Sequence, residues 1–324
     1  MKFLVLKSRD PYLNLAIEEY LFLRSADDIF MLWQNEPTVV IGKNQNAYAE
    51  MNMDFVEKNH IHIARRITGG GAVYHDLGNL NYTFISSNKA KEGIDFEYFT
   101  RPIIEALASV GVMAELSGRN DLIVNGKKIS GNAQHTASGR TLHHGTLLFD
   151  SELDVLSSAL KVDEEKIKSK GIKSTRSRVT NINEILGGKY SVKEFIELLS
   201  DHVISKYSPD IIDEPKDGEI DRLYRRNSSR EWIFPERELL SSYSVLKKKR
   251  YPFGIVEIYL DMSNETIRDV KIRGDFFGER PIEELEKCLC GISLRDVEKK
   301  IDNIDIEKYI FGITKDIFGD QLKK

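Results

Sequence analysis

The chain has 324 residues and a formal net charge of −4, which excludes a protein that coats nucleic acid through a generally basic surface. Hydrophobic residues make up 41% of the chain and charged residues 30%, so a large core and a well-solvated surface are both available. The spacing of Cys288 and Cys290 suits neither an ordinary disulfide nor a zinc site and favours a reducing compartment. No segment has the length of a signal-peptide core or a membrane span, and we expect a soluble, cytoplasmic protein.

The first 204 residues alternate between strand and helix patterns. Period-two patterns predict strands at 3–6, 29–33, 38–42, 61–67, 80–84 and 141–149. Apolar residues at helical spacing predict helices that begin at Asp10-Pro11 and that span 96–110, 153–160 and 192–204. Such a mixture predicts a sheet covered by helices.

Residues 65–76, which read RRITGGGAVYHD, interrupt two strand patterns with three consecutive glycines. Glycine costs conformational entropy and contributes no packing, so a chain accepts three of them where the backbone takes φ > 0 or contacts a ligand closely. Arg66 offers a planar fork of donors for phosphate or carboxylate, and the N–H groups of residues 69–73 can form an anion-binding nest. We expect a phosphate-bearing ligand, and a strained structural turn is the alternative. The segment is neither a Walker A loop nor a dinucleotide fingerprint.

A second candidate site lies on a predicted hairpin at 121–132, which reads DLIVNGKKISGN. Asn125-Gly126 is the preferred pair for a type I′ turn, and Lys128 follows it on the outgoing strand. Asp121 and Asn120 supply oxygens that can hold Mg²⁺ through the phosphates of a nucleotide. A solvated lysine and a buried structural carboxylate are the alternatives that this spacing leaves open.

Two further segments carry titratable or basic side chains. His143 and His144 are adjacent in a predicted strand and point to opposite faces, so they are poorly placed to bind one metal together. We expect His144 to contact a ligand and the other histidine to be solvated. Residues 161–178 contain seven lysines and arginines, and the small residues between them favour a mobile loop that orders over phosphates. An exposed helix and loop is the commoner fate of such a charge run.

The tail has a different pattern. Strand patterns at 251–260 and 266–272 and helical patterns at 282–289 and 294–301 predict a small α+β unit. We place the boundary where serines meet a run of lysines, between residues 1–243 and residues 248–324.

Four segments together resemble the signatures of the lipoate–protein ligase A family and occur in that family's order. They read RRITGGGAVYHDLGNLNYTF, GRNDLIVNGKKISGNAQ, HHGTLLFD and KGIKSTRSRVTN, and the resemblance extends over the whole chain. It implies an α+β fold, with a mixed β-sheet catalytic domain of the biotin/lipoate protein ligase type at 1–243 and a small α+β accessory domain at 248–324. The accessory domain is similar to a domain that changes its position during the family's reaction cycle.

The resemblance also implies an activity. It is that of an enzyme that uses ATP and Mg²⁺ to convert lipoate to lipoyl-AMP and then transfers the lipoyl group to a lysine ε-amine. The implied acceptors are the lipoyl domains of 2-oxoacid dehydrogenase acyltransferase subunits and the glycine cleavage H protein, with no nucleic-acid or membrane partner.

The resemblance further implies roles for the residues of this chain that lie at the family's motif positions. Lys128 is expected to be catalytic, contacting both the lipoate carboxylate and a nucleotide phosphate, and the segment from 166 to 183 is similar to the loop that closes over the adenylate. The expected nucleotide and lipoate contacts are Arg66, Gly71, Ala72, Val73, Tyr74, Lys128, His144, Lys173 and Arg176, and Asp121 is the expected Mg²⁺ ligand. The apolar lipoyl chain needs a slot, whose expected walls are Trp33, Val39, Ile67 and Val73.

Other functions of the same superfamily fit less well. A biotin ligase carries a GRGRRG-like loop that this sequence lacks. An ATP-independent acyltransferase uses a catalytic cysteine, whereas both cysteines here lie in the tail. A lipoate-binding sensor without turnover is the non-enzymatic alternative.

Overall fold

The computed structural model describes residues 1–87, 94–161, 178–235 and 240–323. Its strands are β1 (Lys2–Val5), β2 (Ile29–Trp33), β3 (Thr38–Ile41), β4 (His62–Arg65), β5 (Val73–His75), β6 (Asn79–Ser86), β7 (Glu115–Ser117), β8 (Asp121–Val124), β9 (Lys127–Ala137), β10 (Arg140–Leu148), β11 (Asp210–Ile211), β12 (Val245–Tyr251), β13 (Gly254–Ser263) and β14 (Thr266–Gly274). Its helices are α1 (Pro11–Arg24), α2 (Ala47–Glu50), α3 (Met53–Lys58), α4 (Phe96–Ser109), α5 (Leu153–Ala159), α6 (Ile182–Ile185), α7 (Val192–Tyr207), α8 (Gly218–Asn227), α9 (Arg230–Ile233), α10 (Ile282–Leu289), α11 (Val297–Ile301) and α12 (Lys315–Lys323). None of the helices within these ranges is long and apolar enough to cross a membrane.

The largest sheet has the strand order β11-β1-β2-β6-β10-β9-β8-β7 and is mixed. Strand β1 pairs in parallel with β2 and β11, whereas β6 pairs antiparallel with β2 and β10. Side chains of β2 alternate between two cores, because successive residues of a strand point to opposite faces. Phe30 and Leu32 pack with α4 and α7, while Ile29 and Met31 pack with α1 and α8. The predicted α+β class with a mixed sheet is confirmed.

Helix α1 begins where the sequence predicts it. The Asp10 carboxylate accepts hydrogen bonds from the N–H groups of Tyr12 (2.8 Å) and Leu13 (3.1 Å), and Pro11 occupies the first helical position. The helix packs against the sheet along its length, which buries Glu18 to 1% exposure. A carboxylate so deeply buried needs hydrogen-bond partners, and they belong to the candidate site described below.

A second sheet, β4-β3-β5, carries the triple-glycine corner between its two outer strands. The strand predicted at 61–67 ends earlier, at Arg65. The guanidinium of Arg65 donates hydrogen bonds to backbone carbonyls of other segments. The acceptors are the carbonyl oxygens of Gly42, Lys43, Gln45, Trp232 and Ile233. Arg65 therefore ties the entry of the corner to the loop after β3 and to the end of α9.

The predicted hairpin is the turn between β8 and β9. Asn125 and Gly126 have φ of 51° and 74°, as a type I′ turn requires. The register of the two strands shifts between Leu122 and Ile123. The turn leaves Lys128 on the outgoing strand, close to the turn and to the edge of the large sheet.

The C-terminal part has its own core around the antiparallel sheet β12-β13-β14. The strand predicted at 251–260 is β13, which begins at Gly254, and the strand predicted at 266–272 is β14. Strand β12, which ends at Tyr251, was not predicted. The lysine run at the predicted boundary lies in β12, which is an edge strand with alternating exposed side chains. Helix α10 agrees with the prediction, and α11 is the second half of the helix predicted at 294–301.

Candidate active site

Two adjoining cavities meet at the hairpin lysine. The first has a volume of about 280 Å³ and the second a volume of about 490 Å³. Residues that line both are Gly71, Ala72, Val73, Asp121, Lys128, Thr146 and Asp275. The structure thus brings the glycine corner and the hairpin, which are about fifty residues apart in the sequence, onto one continuous surface.

The three glycines of the corner serve different purposes. Gly70 has φ of +86°, and a Cβ there would lie 2.8 Å from Cζ of Phe277. A Cβ on Gly69 would lie 2.4 Å from the carbonyl oxygen of Phe276, which also accepts a hydrogen bond from the Gly70 N–H (3.2 Å). Because these two residues have no side chain, a segment of the C-terminal part can pack against the corner. The sequence analysis did not anticipate this contact. A Cβ on Gly71 would have its nearest neighbour at 4.0 Å, so this glycine leaves the cavity side of the corner open.

Arg66 stabilises the glycine corner through hydrogen bonds to its backbone. Its Nε donates to Oγ1 of Thr68 (2.9 Å), its Nη1 to the carbonyl of Val40 (3.1 Å), and its Nη2 to the carbonyls of Gly69 (2.7 Å) and Gly71 (2.8 Å). Burial lowers the pKa of the guanidinium to about 10. Arg66 lines the first cavity, but its hydrogen bonds to the chain make it primarily a support for the corner.

The hydrogen-bond donors that the corner offers to a ligand are backbone N–H groups. Because the carbonyls of Gly69 and Gly71 accept from Arg66, they point toward the guanidinium rather than into the cavity. In the described part of the chain, the N–H groups of Gly71 and Ala72 have no acceptor. Adjacent free amides on a cavity wall suit an anion such as phosphate.

A hydrogen-bonded chain lies behind the same wall. The Nδ1 of His144 is 2.9 Å from Oε1 of Glu18, and its Nε2 is 2.9 Å from Oγ1 of Thr68. Glu18 also accepts from the hydroxyl of Thr83 (2.6 Å), which in turn accepts from Nε1 of Trp33 (2.9 Å). The chain fixes Trp33 and His144, two residues of the first cavity wall, through one buried carboxylate.

The order carboxylate, imidazole, hydroxyl resembles the triad of a hydrolase. Thr68, however, is fully buried, lies outside the lining of both cavities, and accepts a hydrogen bond from Arg66. A hydroxyl in that position cannot reach a substrate carbonyl. The arrangement supports the cavity wall and supplies no nucleophile.

The two adjacent histidines do lie on opposite faces of β10, as predicted. His144 faces the first cavity, whereas the expectation that the other histidine is solvated is wrong. His143 is fully buried, stacks on Phe99 at 5.1 Å and lies 6.1 Å from the ring of Tyr82. Strand β10 is central in the sheet and α4 covers this face, so burial holds the pKa of His143 well below its usual value.

Lys128 and Asp121 form an ion pair at the junction of the cavities. The Nζ and Oδ1 atoms are 2.7 Å apart, and the side chains are 35% and 37% exposed. The lysine side chain crosses Gly131, where a Cβ would lie 2.9 Å from Nζ. The carbonyl of Lys128 accepts from the N–H of Thr180 (3.0 Å), which joins the end of the predicted loop to the lysine's strand.

The carboxylate of Asp121 suits a metal ion that is also bound by the phosphates of a nucleotide. Among the residues that the structure describes, no group of three or more His, Cys, Asp or Glu side chains is arranged to hold a metal ion. Mg²⁺ is commonly bound by one or two carboxylates together with substrate phosphates and water. Asp121 fits such a site because its carboxylate is partly exposed and lines both cavities.

The remaining expected residues are placed as follows. Tyr74 lines the second cavity only, and Lys173 and Arg176 lie outside the described residues. Of the expected walls, Trp33 and Val73 line the first cavity. Val39 and Ile67 do not, because Val39 packs in a core beside α3 and α5 and Ile67 packs toward α1.

The C-terminal part contributes residues that the sequence did not reveal. Asp275 lines both cavities, and its carbonyl accepts from Nη2 of Arg119 (3.3 Å). The guanidinium of Arg119 also lies 4.5 Å over the ring of Phe277, which packs on Phe96. These contacts join residues 156 positions apart, a separation over which no local pattern carries a signal.

Comparisons with known proteins agree over the whole chain. The model of the lipoyl protein ligase A/B catalytic domain matches residues 10–204, and the model of the bacterial lipoate protein ligase C-terminus matches residues 241–322. Lipoate-protein ligase LplJ of Bacillus subtilis is 42% identical over a match of 321 residues, with a coverage of 96% for each chain.

Solved structures give the same result. LipL1 of Plasmodium falciparum, in complex with lipoate, is similar with a TM-score of 0.81 at 25% identity, covering 100% of this chain and 98% of that one. A bi-partite lipoate protein ligase of Thermoplasma acidophilum with its E2 lipoyl domain has a TM-score of 0.60 at 30% identity, covering 74% and 97%. Lipoate-protein ligase A bound with ATP has a TM-score of 0.60 at 28% identity, covering 72% and 98%.

Proposed function

The chain belongs to the lipoate–protein ligase family and is an ATP-dependent enzyme that attaches lipoate to proteins, and we propose that it does so through lipoyl-AMP formed at Lys128. The observation that carries the proposal is the single surface shared by the glycine corner and the Lys128 hairpin. In this proposal lipoate occupies the first cavity and ATP the second. Their reacting groups meet where the two cavities join.

Charge explains why a lysine is needed at the junction. A carboxylate oxygen of lipoate attacks the α-phosphorus of ATP, and both groups are negative, so the reaction needs positive charge and oriented donors around them. Lys128 is proposed to hold the carboxylate in line and to stabilise the charge that develops on the α-phosphate. The N–H groups of Gly71 and Ala72, which have no acceptor in the described chain, are proposed to bind phosphate oxygens beside it.

The ion pair between Lys128 and Asp121 is proposed to open when the substrates bind. Asp121 would then hold Mg²⁺ together with phosphate oxygens of the nucleotide, and the metal would neutralise charge on the leaving pyrophosphate. An exposed ion pair contributes only about 0–1 kcal/mol, so exchanging its partners costs little.

The second half of the reaction is transfer. The amine of an acceptor lysine attacks the acyl carbon of lipoyl-AMP, and AMP leaves with the electrons of the broken C–O bond. The anhydride is activated enough to need no protein nucleophile, and Cys288 and Cys290 are exposed and free in the C-terminal part.

Lipoyl-domain proteins are the acceptors of this family. We propose that for this chain they are the acyltransferase subunits of 2-oxoacid dehydrogenases and the glycine cleavage H protein, modified in the cytoplasm, where ATP and free thiols coexist. The proposal assigns activation to residues 1–243 and an accessory role to residues 248–324.

The test is the formation of lipoyl-AMP from lipoate and ATP·Mg²⁺ by Lys128→Ala, measured as pyrophosphate release and by mass spectrometry of the quenched mixture. We expect a loss of about 10²-fold or more, because removal of one charge-stabilising donor typically costs that much. Lys127→Ala is the matched control, since Lys127 precedes it, is exposed and lines neither cavity. Near-normal adenylate formation by Lys128→Ala would refute the proposed role.

A further inference from the structure

Arg119 is a positively charged side chain of the first cavity that the proposed reaction does not use. It precedes Asn120 and Asp121 in the sequence, and it lines the first cavity but not the second. The carboxylates of Asp121 and Asp275 interact electrostatically with its guanidinium, and both residues line both cavities. Arg119 therefore lies at the end of the first cavity that adjoins the second.

The C-terminal part holds the guanidinium of Arg119 in place. Its Nη2 donates to the carbonyl oxygen of Asp275 (3.3 Å), and its Cζ lies 4.5 Å from the centre of the Phe277 ring. Its Nη1 is buried at the same contact, where a Cβ on Gly254 would lie 3.3 Å away. A guanidinium that stacks on an aromatic ring and is hydrogen-bonded at one end loses little further freedom when it binds a ligand.

The positive charge of Arg119 has no ion-pair partner in the described part of the chain. The carboxylate of Asp275 accepts the N–H of Ile255 instead, and the carboxylate of Asp121 pairs with Lys128. Burial lowers the pKa of the guanidinium, whereas the negative charges of Asp275 and Asp121 oppose that shift. A half-buried cation without a counterion on the wall of a substrate cavity indicates an anion that arrives with the substrate.

One nitrogen of Arg119 remains available to such an anion. Among the described residues, neither Nε nor Nη1 has an acceptor, and of these two nitrogens only Nη1 is buried. Because Arg119 lines the first cavity and not the second, lipoate rather than ATP is the expected ligand. The anionic group of lipoate is its carboxylate.

We propose that Arg119 is a substrate-binding residue, which binds the carboxylate of lipoate together with Lys128. The inference rests on the proposed function, in which this carboxylate lies where the two cavities join. Lys128 has to act on both the carboxylate and the α-phosphate during the reaction. A second cation on the lipoate side keeps the carboxylate bound while Lys128 stabilises the charge on the phosphate.

A neutral analogue separates the charge of the substrate from its shape. Lipoamide has the chain and ring of lipoate but an uncharged amide in place of the carboxylate. Dissociation constants for lipoate, lipoamide and ATP·Mg²⁺, each alone, are measured by calorimetry on the full chain, with displacement of lipoate as the readout for weakly bound lipoamide. Arg101→Gln is the matched control, since Arg101 is exposed on α4, pairs with Glu97 (3.7 Å) and lines neither cavity.

We expect Arg119→Gln to weaken lipoate binding about tenfold, the range for loss of one charge-assisted hydrogen bond, and to leave lipoamide and ATP·Mg²⁺ binding unchanged. Unchanged lipoamide binding also shows that the variant is folded. Arg119→Lys keeps the charge and lacks the planar fork, so it should lower the ratio of lipoate to lipoamide affinity by a smaller factor. It provides the same comparison if the glutamine variant does not fold.

Equal losses for lipoate and lipoamide would show a structural role and overturn the inference. A loss confined to ATP·Mg²⁺ would overturn it as well, because the anion of Arg119 would then be a phosphate. Both results leave the proposed function standing. Failure of the unmodified protein to bind lipoate and form lipoyl-AMP would count against the proposed function itself.

Discussion

The two ends of the first cavity are built in opposite ways. At the far end, away from the second cavity, Glu18, Trp33 and Arg66 are 1–5% exposed, and their polar atoms are hydrogen-bonded to Thr68, Thr83, His144 or backbone carbonyls. At the junction with the second cavity, Lys128 and Asp121 are about one-third exposed and form one ion pair. The far end has a fixed shape, which suits recognition of a substrate chain. The junction has charges that can exchange partners, which suits a reaction between two anions.

The largest effect expected from this contrast is at Glu18. Glu18→Ala removes the common acceptor of His144 and Thr83, and we expect the free energy of unfolding to fall by about 3 kcal/mol or more, since breaking a buried charged network leaves groups unpaired. Lys128→Ala is expected to change it by less than about 1 kcal/mol, because an exposed ion pair contributes little. Urea unfolding of both variants measures the difference.

Glu19→Ala controls for the loss of a carboxylate from α1. Glu19 follows Glu18 on the helix but accepts from Nη1 of Arg226 (2.8 Å), away from the cavity. If Glu18→Ala were no more destabilising than Lys128→Ala, the two ends would not differ as described.

Acid is expected to destabilise the far end next. His75 has a pKa of about 3 in the folded chain and about 6.5 when unfolded, so below pH 6.5 the unfolded chain binds the proton more readily. Its contribution to stability is present above pH 6.5 and is lost as the pH falls toward 3. Between pH 7 and pH 5 the unmodified protein should lose about 2 kcal/mol more than His75→Gln in urea unfolding. Parallel pH profiles would show that His75 is not buried as a neutral base.

Substitution of the glycines is expected to give a smaller effect, on stability at Gly70 and on activity at Gly71. Gly70→Ala puts a side chain at φ of +86° against Phe277, and we expect a loss of about 1–2 kcal/mol in unfolding free energy. Gly71→Ala meets nothing closer than 4.0 Å and should fold normally, yet its methyl group would face the substrate surface. Steady-state kinetics should show a higher KM for ATP in Gly71→Ala. Unchanged kinetics would remove Gly71 from the nucleotide site.

Local signals explain which parts of the molecule could be predicted. The Asn125-Gly126 turn and the Asp10 cap involve neighbouring residues, and both were identified from the sequence. The corner was recognised as a site, but the reason for Gly69 and Gly70 was missed because it depends on contact with residues 276–277.

Glu18 illustrates the same limit. It was overlooked because its partners Thr83 and His144 lie 65 and 126 positions away, and only the fold shows that an acidic residue of an amphipathic helix is buried. Strand β12 of the C-terminal part was missed for a related reason. A lysine-rich segment reads as a linker unless its place at the edge of a sheet is known.

The most direct test of the central claim is a crystal structure of the protein with a non-hydrolysable analogue of lipoyl-AMP. The account predicts the acyl-phosphate linkage within hydrogen-bond distance of Nζ of Lys128, a phosphate oxygen at the N–H of Gly71 or Ala72, and the dithiolane ring in the first cavity. An analogue bound with its linkage away from Lys128, or with its ring toward the second cavity, would contradict it.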